Sequence, residues 1–225
     1  MIHLFDLKLT HTNSVAYRET EHTKAKKAHT RQRLLKAARD LVAEGGFTAA
    51  TAAAVAQRSD VAAGSIYRHF PNKAELVAEV FRYATEHEIE MVYQATQTNS
   101  RCAERLQAGL TVFAQRALQG PRLAYALIAE PVDPRVEEER LKYRLAYAEI
   151  FEDLIREGMA AGEFVEQQPA LSSAALVGML SESLIGPLFV QREQAAINNS
   201  DQPDHKFLIS QLNALCLRAV GCQKN

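Results

Sequence analysis

Tryptophan is absent from the 225 residues, and aromatic side chains make up only 7%. Glycine and proline are scarce as well, at ten and seven. With so few breakers in a chain that is 47% hydrophobic, long periodic segments survive, and the prior leans toward helices. The cysteines, Cys102, Cys216 and Cys222, are odd in number, widely spaced and free of CxxC spacing. That supports neither a disulfide framework nor a zinc site, and they read as small apolar residues in a reduced compartment. No uninterrupted apolar run approaches the ~20 residues that span a bilayer, so no membrane partner is expected. The opening MIHLFDLKLTHTNSVAYRETEHTKAKK lacks a basic start, an apolar block and a small-residue cleavage site, so the expected location is the cytoplasm. G-x-G-x-x-G, P-loop, H-E-x-x-H and G-x-S-x-G patterns are all missing, so neither an enzyme nor a cofactor is expected. Glu86, His87, Glu88 and Glu90 are the densest set of potential ligands, but only Glu86 and Glu90 share a helical face. A hydrated surface explains them, and no metal site is expected.

The net charge of −1 conceals a division. Between Glu21 and Lys73 ten Lys/Arg face four Asp/Glu, a local +6, while the remainder carries 16 against 23, or −7. A basic segment joined to an acidic remainder points one end toward an anionic partner. Within TRQRLLKAARDLVAEGGF, Leu34, Ala38, Leu41 and Val42 form one helical stripe that Gly45–Gly46 stops. Thr51 caps a second short helix, AAAVAQR. After SDV comes AAGSIYRHF, and Asn72 then opens the long KAELVAEVFRYATEHEIEMVYQAT. Two short helices across a tight turn read as a helix-turn-helix, with Asp60 at the residue expected to take positive φ. Further helices follow: one to Gly120–Pro121, a short one to Pro131, a long one closing near Gly162, an apolar one closed by Gly186–Pro187, and a last one to Gly221. The expectation is all-α with about nine helices. It divides into a flexible basic N-terminal arm (1–28), a three-helix DNA-binding domain (29–75) and a helical effector-binding and dimerisation domain (76–225).

GSIYRHFPNK, residues 64–73, carries the functional signal. Val61, Ile66 and Phe70 fall about four apart and can anchor one face. Ala63, Gly64, Ser65, Tyr67, Arg68 and His69 are then left toward solvent or a ligand. Small residues let backbone approach a duplex, Ser, Tyr and His offer donors, Arg68 can read guanine, and Lys73 can clamp a phosphate. The competing reading is a surface turn whose aromatics pack locally. Upstream, Lys24, Lys26, Lys27, Arg31 and Arg33 either track an adjacent groove or form a solvated tail.

LLKAARDLVAEGGFTAATAAAVAQRSDVAAGSIYRHFPNKAEL resembles, without a gap, the DNA-binding domain of the tetracycline-repressor (TetR) family of bacterial regulators. The resemblance rests on Ala37–Ala38, Leu41, Gly46–Phe47, Thr51, Val55–Ala56, Val61, Gly64–Ser65–Ile66–Tyr67, His69–Phe70 and Lys73. It implies a homodimeric transcriptional regulator, a repressor as most members are, that binds double-stranded operator DNA and is released by a small-molecule effector. It further implies that Thr51 contacts phosphate, that residues 63–65 and 67–69 lie in or beside the major groove, and that Lys73 lies on the backbone. Two departures stand out: Ser59–Asp60 replaces the usual Ala-Gly turn, and Ala62 stands where Ser or Thr caps the third helix.

For the second half, Leu176, Leu180 and Leu184, with Ala175, Gly178 and Ser181, and then Leu208, Leu212, Leu215 and Ala219 suggest two helices for a dimer bundle. Burial within one subunit is the alternative. An apolar or amphipathic effector is expected among Phe81, Met91, Tyr93, Leu110, Phe113, Tyr125, Tyr143, Tyr147 and Phe151, aromatics with polar tips interleaved with apolar residues. A helical small-molecule-binding or scaffold protein without DNA binding is the rival, and it leaves the decamer unexplained.

Overall fold

The computed structural model describes residues 21–197 and 204–222, and every described element is helical. Helix α1, Glu21–Gly45, buries Leu34, Leu35, Ala37, Ala38 and Val42 along one stripe. It begins nine residues before the expected start at Thr30, so residues 21–28 are helix rather than arm. Their Ala, Lys and Glu content favours helix even without an apolar face. The rest of the arm, residues 1–20, lies outside the described residues. Gly46, at φ 74°, ends α1 as the pattern required.

Helix α2, Ala52–Arg58, is capped by the Thr51 side chain, which accepts from the Ala54 amide at 3.1 Å. The turn residue Asp60 sits at φ 51°, the left-handed conformation that Asp tolerates better than most residues. Next comes not an α-helix but a 3-10 helix, Ala63–Arg68, with no side-chain cap at Ala62. Without a cap, the first amides are left to tighter i→i+3 bonding, such as Ser65 N–H to the Ala62 carbonyl at 2.8 Å. Asn72 caps helix α3, Lys73–Thr96, by accepting from the Glu75 amide at 2.8 Å.

Helices α4 (Cys102–Gln119), α5 (Pro121–Ile128), α6 (Pro134–Ala160), α7 (Pro169–Ile197) and α8 (His205–Ala219) complete the chain. Two apolar cores result. One gathers α1, α2, the 3-10 helix and the first half of α3, and also takes Leu123 and Ala126 of α5 and Val136 of α6. The other fills the space between α4, α6, α7 and α8, with Val92 from the second half of α3. The cores therefore part midway along α3 rather than at residue 75, and α5 belongs to both.

Helix α7 corrects two expectations. It does not close at Gly186–Pro187 but runs through Pro187 to Ile197. A proline inside a helix costs about 3 kcal/mol. Leu184 and Leu188, on either side of it, are both fully buried in the same core, and burial of such side chains stabilises by about 1.5–3 kcal/mol each. Pro169–Gln191, of mean hydropathy 1.6, is also long and apolar enough to cross a membrane by length and composition. Interspersed serines and Glu182 hide this from a search for uninterrupted runs. Its stripe Leu176, Leu180, Leu184 and Leu188 packs inside the protein's own core.

Candidate nucleic-acid interface and cavity

The 3-10 helix is held from one side only. Ile66 and Phe70 are buried and Val61 packs half-buried beside them. Arg33 Nη2 donates to the Ser59 carbonyl at 2.7 Å, fixing the preceding turn to α1. On the opposite side Ala63, Gly64, Tyr67 and Arg68 are exposed, Ser65 and His69 are half-buried, and Lys73 stands exposed at the start of α3. Tyr67 keeps 56% of its surface in solvent, a large aromatic with no packing reason to be there. A Cβ on Gly64 would meet nothing within 4 Å, so the fold itself does not require glycine at this position.

His69 is the exception on this face. Burial, followed by the charges of Lys27, Arg31 and Arg68, pushes its imidazole below the usual range, and its Nδ1 is buried without a partner. The ring is therefore neutral at neutral pH and surrounded by cations.

Of the basic residues upstream, Lys26 and Lys27 lie exposed on α1. Lys24 pairs with Glu21 at 3.0 Å. Arg31 departs from the expected groove contact. Its guanidinium bonds Glu79 at 2.6 Å and stacks 5.0 Å over the Phe70 ring, so it ties α1 to α3. Helical phasing turned it inward, a fact invisible while residues 21–28 were read as an arm.

Deeper in the molecule, α3 to α7 and one residue of α1 enclose a cavity of about 260 Å³, just under the ~300–1,000 Å³ of ordinary small-molecule sites. Four expected residues line it: Phe81, Phe113, Tyr143 and Tyr147. Phe113 meets Tyr147 edge-on at 5.2 Å, and the Tyr143 hydroxyl donates to Glu86 at 3.0 Å. Burial raises the Tyr147 phenol well above its ordinary range, with Glu88 adding to the rise, so it stays protonated. The other five expected residues do not line it. Met91 and Tyr93 face solvent from α3, Leu110 and Phe151 are fully buried in the packed core, and Tyr125 turns to Phe189 at 6.1 Å between centroids. Aromatic content selected all of them, but helical phase decides which reach the cavity.

Sequence reading missed the charged lining, Arg39, Glu88, Arg116, Arg140 and Arg144. Arg116 binds Glu88 across α4 and α3, with Nη2–Oε1 at 3.0 Å. Arg140 is buried and donates to the carbonyls of Leu127 at 2.9 Å, Glu130 at 2.8 Å and Ala126 at 3.2 Å, as well as to Glu137. It thereby satisfies the carbonyl end of α5. A signal existed: Val136, Arg140, Tyr147 and Phe151 share the buried stripe of α6, and an arginine on such a stripe needs partners. Two side chains, one from α5 and one just beyond it, reach the first core. Arg122 Nη1 donates to the Glu44 carbonyl at 2.7 Å, and the Phe47 amide donates to the Glu130 carboxylate at 3.1 and 3.2 Å.

Residues 34–80 match "Bacterial regulatory proteins, tetR family", and residues 99–184 match "Tetracyclin repressor-like, C-terminal domain". The chain belongs to the tetR family. It is 38% identical over 66 residues to the HTH-type transcriptional repressor KstR of Mycolicibacterium smegmatis, covering 29% of this chain and 32% of that one. The chain thus spans about a third of that relative's length. It is 27% identical over 177 residues to the repressor BepR of Brucella suis, covering 73% of this chain and 85% of BepR. The fold is shared with FadR of Bacillus halodurans, a fatty acid degradation regulator, at TM-score 0.68, 18% identity and coverage of 83% and 97%. FadR of Bacillus subtilis in complex with stearoyl-CoA gives TM-score 0.67 at 19% identity, with coverage of 84% and 97%.

Within this family framework the expected dimer residues need correction. Leu176, Leu180, Leu184 and Leu212 are buried in the subunit's own core, Leu208 is half-buried, and only Leu215 is exposed. An i, i+4 leucine stripe is what the monomer core itself demands, and the outer faces carry other residues. On α7 these are Leu171, Ala174, Ala175, Gly178, Gly186, Phe189 and Val190, and on α8 Phe207, Leu215 and Ala219. Leu171 at 71% and Phe207 at 64% exposure are the largest apolar side chains left uncovered there. A Cβ on Gly178 or Gly186 would meet nothing within 4 Å.

Proposed function

We propose that the protein is a transcriptional repressor acting in the cytoplasm, which binds operator DNA as a homodimer and releases it when a small apolar or amphipathic effector enters the cavity. The observation that carries this reading is the one-sided 3-10 helix: anchored by Ile66 and Phe70, it leaves Tyr67 and Arg68 exposed and without hydrogen-bond or ion-pair partners among the described residues. Gly64 permits close approach of phosphodiester backbone, Ser65 and His69 flank the face, and Lys26, Lys27, Lys73 and the capping residue Thr51 surround it. Two copies on half-sites about one helical turn apart double the contacts. The small-residue outer faces of α7 and α8 suit the close helix packing such a dimer needs.

Effector control follows from α3 and α5. Phe81, Thr85, Glu88 and Val92 of α3 line the cavity while the start of α3 supports the 3-10 helix, and α5 lines it while its Arg122 holds Glu44 at the end of α1 and Glu130, just past α5, holds Phe47. A ligand that fits only one setting of these helices shifts the spacing of the two DNA-contacting faces. FadR of Bacillus subtilis, with its stearoyl-CoA, makes long-chain acyl groups one class to screen.

The test is selection of bound duplexes from a random pool, followed by affinity measurement with Tyr67→Ala. Expected is a defined palindromic site whose binding the variant loses without loss of fold. Failure to enrich any sequence sinks the reading.

A further inference from the structure

We propose that the ligand of the cavity is an amphiphilic organic anion, its apolar part inside and its anionic head held at the mouth between Arg39 and Arg144. The inference rests on the cavity being a ligand site, as above, and adds the charge of the ligand.

Four arginines but a single carboxylate, Glu88, line the cavity. Two of the arginines are already engaged. Arg116 is matched by Glu88, with a contact at 3.0 Å, and Arg140 is spent on two α5 carbonyls, the Glu130 carbonyl just beyond α5, and Glu137. The other two are different. Arg144 is exposed, with no hydrogen bond or ion pair among the described residues. Arg39 makes only a 3.4 Å contact with Asp40, its neighbour in sequence. Each guanidinium has five N–H donors, and two uncommitted guanidinium groups lining one cavity, the half-buried Arg39 and the exposed Arg144, can form a site for a carboxylate or phosphate. The negative groups nearby are otherwise occupied: Asp40 lies against Arg39, Glu86 accepts from Tyr143, and Glu137 binds Arg140. No lining carboxylate is left for a cationic ligand.

The apolar walls include Val92, Phe113, Leu123, Ala124, Ile128 and Val177, which select an apolar body. Because Arg39 belongs to α1 and Arg144 to α6, a bound anion bridges the helix that supports the DNA-contacting face to the body of the molecule. A neutral molecule of the same shape makes that bridge without charge assistance, so more weakly.

Calorimetry on the full chain at neutral pH with decanoate, decanol and decyltrimethylammonium tests this. Decanoate is expected to bind on the order of tenfold or more tighter than decanol, as a charge-assisted hydrogen bond implies, and the cation is expected not to bind. Arg144→Gln and Arg39→Gln should each remove most of the decanoate preference and leave decanol unchanged, and Arg144→Lys should restore part of it. Decanoyl-CoA in parallel identifies the anion. Binding above decanoate points to carrier phosphates and below it to a free carboxylate, and either one above decanol supports the proposal. Equal affinity for decanoate and decanol, preference for the cation, no binding by any probe, or an unchanged decanoate preference in both glutamine variants would overturn it. None of these measurements uses DNA, so failure of operator binding is read separately. Tight decanol binding would keep the cavity as a ligand site while removing the anion.

Discussion

The two halves of the molecule place their proposed functional residues on opposite sides of their helices. In the first, the core is small and the informative residues point outward: Ile66 and Phe70 vanish inside while Tyr67 and Arg68 stand in solvent. In the second, the leucine stripes fill the interior, and the proposed functional surface is an internal cavity whose polar lining comes from residues scattered over five helices. An outward face can be altered without unfolding the protein, whereas an inward one is built into its stability.

The largest effect should come from attacking the anchor rather than the face. Phe70→Ala removes a fully buried ring and is expected to cost about 3–5 kcal/mol, lowering the thermal midpoint and abolishing DNA binding together. Next comes Arg140→Met, which leaves the carbonyls of Ala126 and Leu127 in α5 and of Glu130 just after it without their donor at a cost of about 1–3 kcal/mol. If denaturant unfolding shows no loss, α5 is not held as described.

Arg68→Ala sharpens the contrast because it should leave stability alone. If Arg68 reads a guanine, affinity falls by about 1–3 kcal/mol at one base pair, and equal weakening on every duplex would make it a phosphate contact instead. A smaller, pH-dependent effect belongs to His69. Burial and cationic neighbours hold its pKa down, so the folded ring stays neutral where an unfolded histidine takes up a proton, near pH ~6.5. The unfolded chain binds the extra proton, so stability should fall as pH drops below that value. His69→Asn should flatten this part of the pH profile, and an unchanged profile would remove the cause assigned here. The smallest change is a gain. Asp60→Gly relieves a left-handed residue and should add up to about 1 kcal/mol, seen as a modest rise in midpoint.

The same contrast governs what could be read from the chain alone. Thr51 and Asn72 as caps, Asp60 at positive φ and Gly46 as a helix stop were legible, because each is a local choice tied to one residue's chemistry. The missing cap at Ala62 was visible too, but its consequence, a 3-10 rather than an α-helix, depends on how Ile66 and Phe70 seat in the core. Arg31 was misplaced because a helix start at Glu21 has no apolar stripe to announce it. In the second half, Phe81, Phe113, Tyr143 and Tyr147 were found and Met91, Tyr93, Leu110, Tyr125 and Phe151 were not cavity residues. Composition picks out aromatics, but only the mutual rotation of packed helices decides which face an opening. Leu176, Leu180 and Leu184 show the same limit, since an apolar stripe does not say whether it meets its own chain or another.

Salt dependence of duplex binding, measured by anisotropy on a site selected from random DNA, tests the outward face most directly. Affinity should fall steeply with rising salt, Lys73→Ala should reduce the log–log slope by about 1, and Tyr67→Ala should weaken binding while the thermal midpoint holds. Salt-independent affinity, with both variants indistinguishable from the unaltered protein, would contradict a DNA-contacting 3-10 helix.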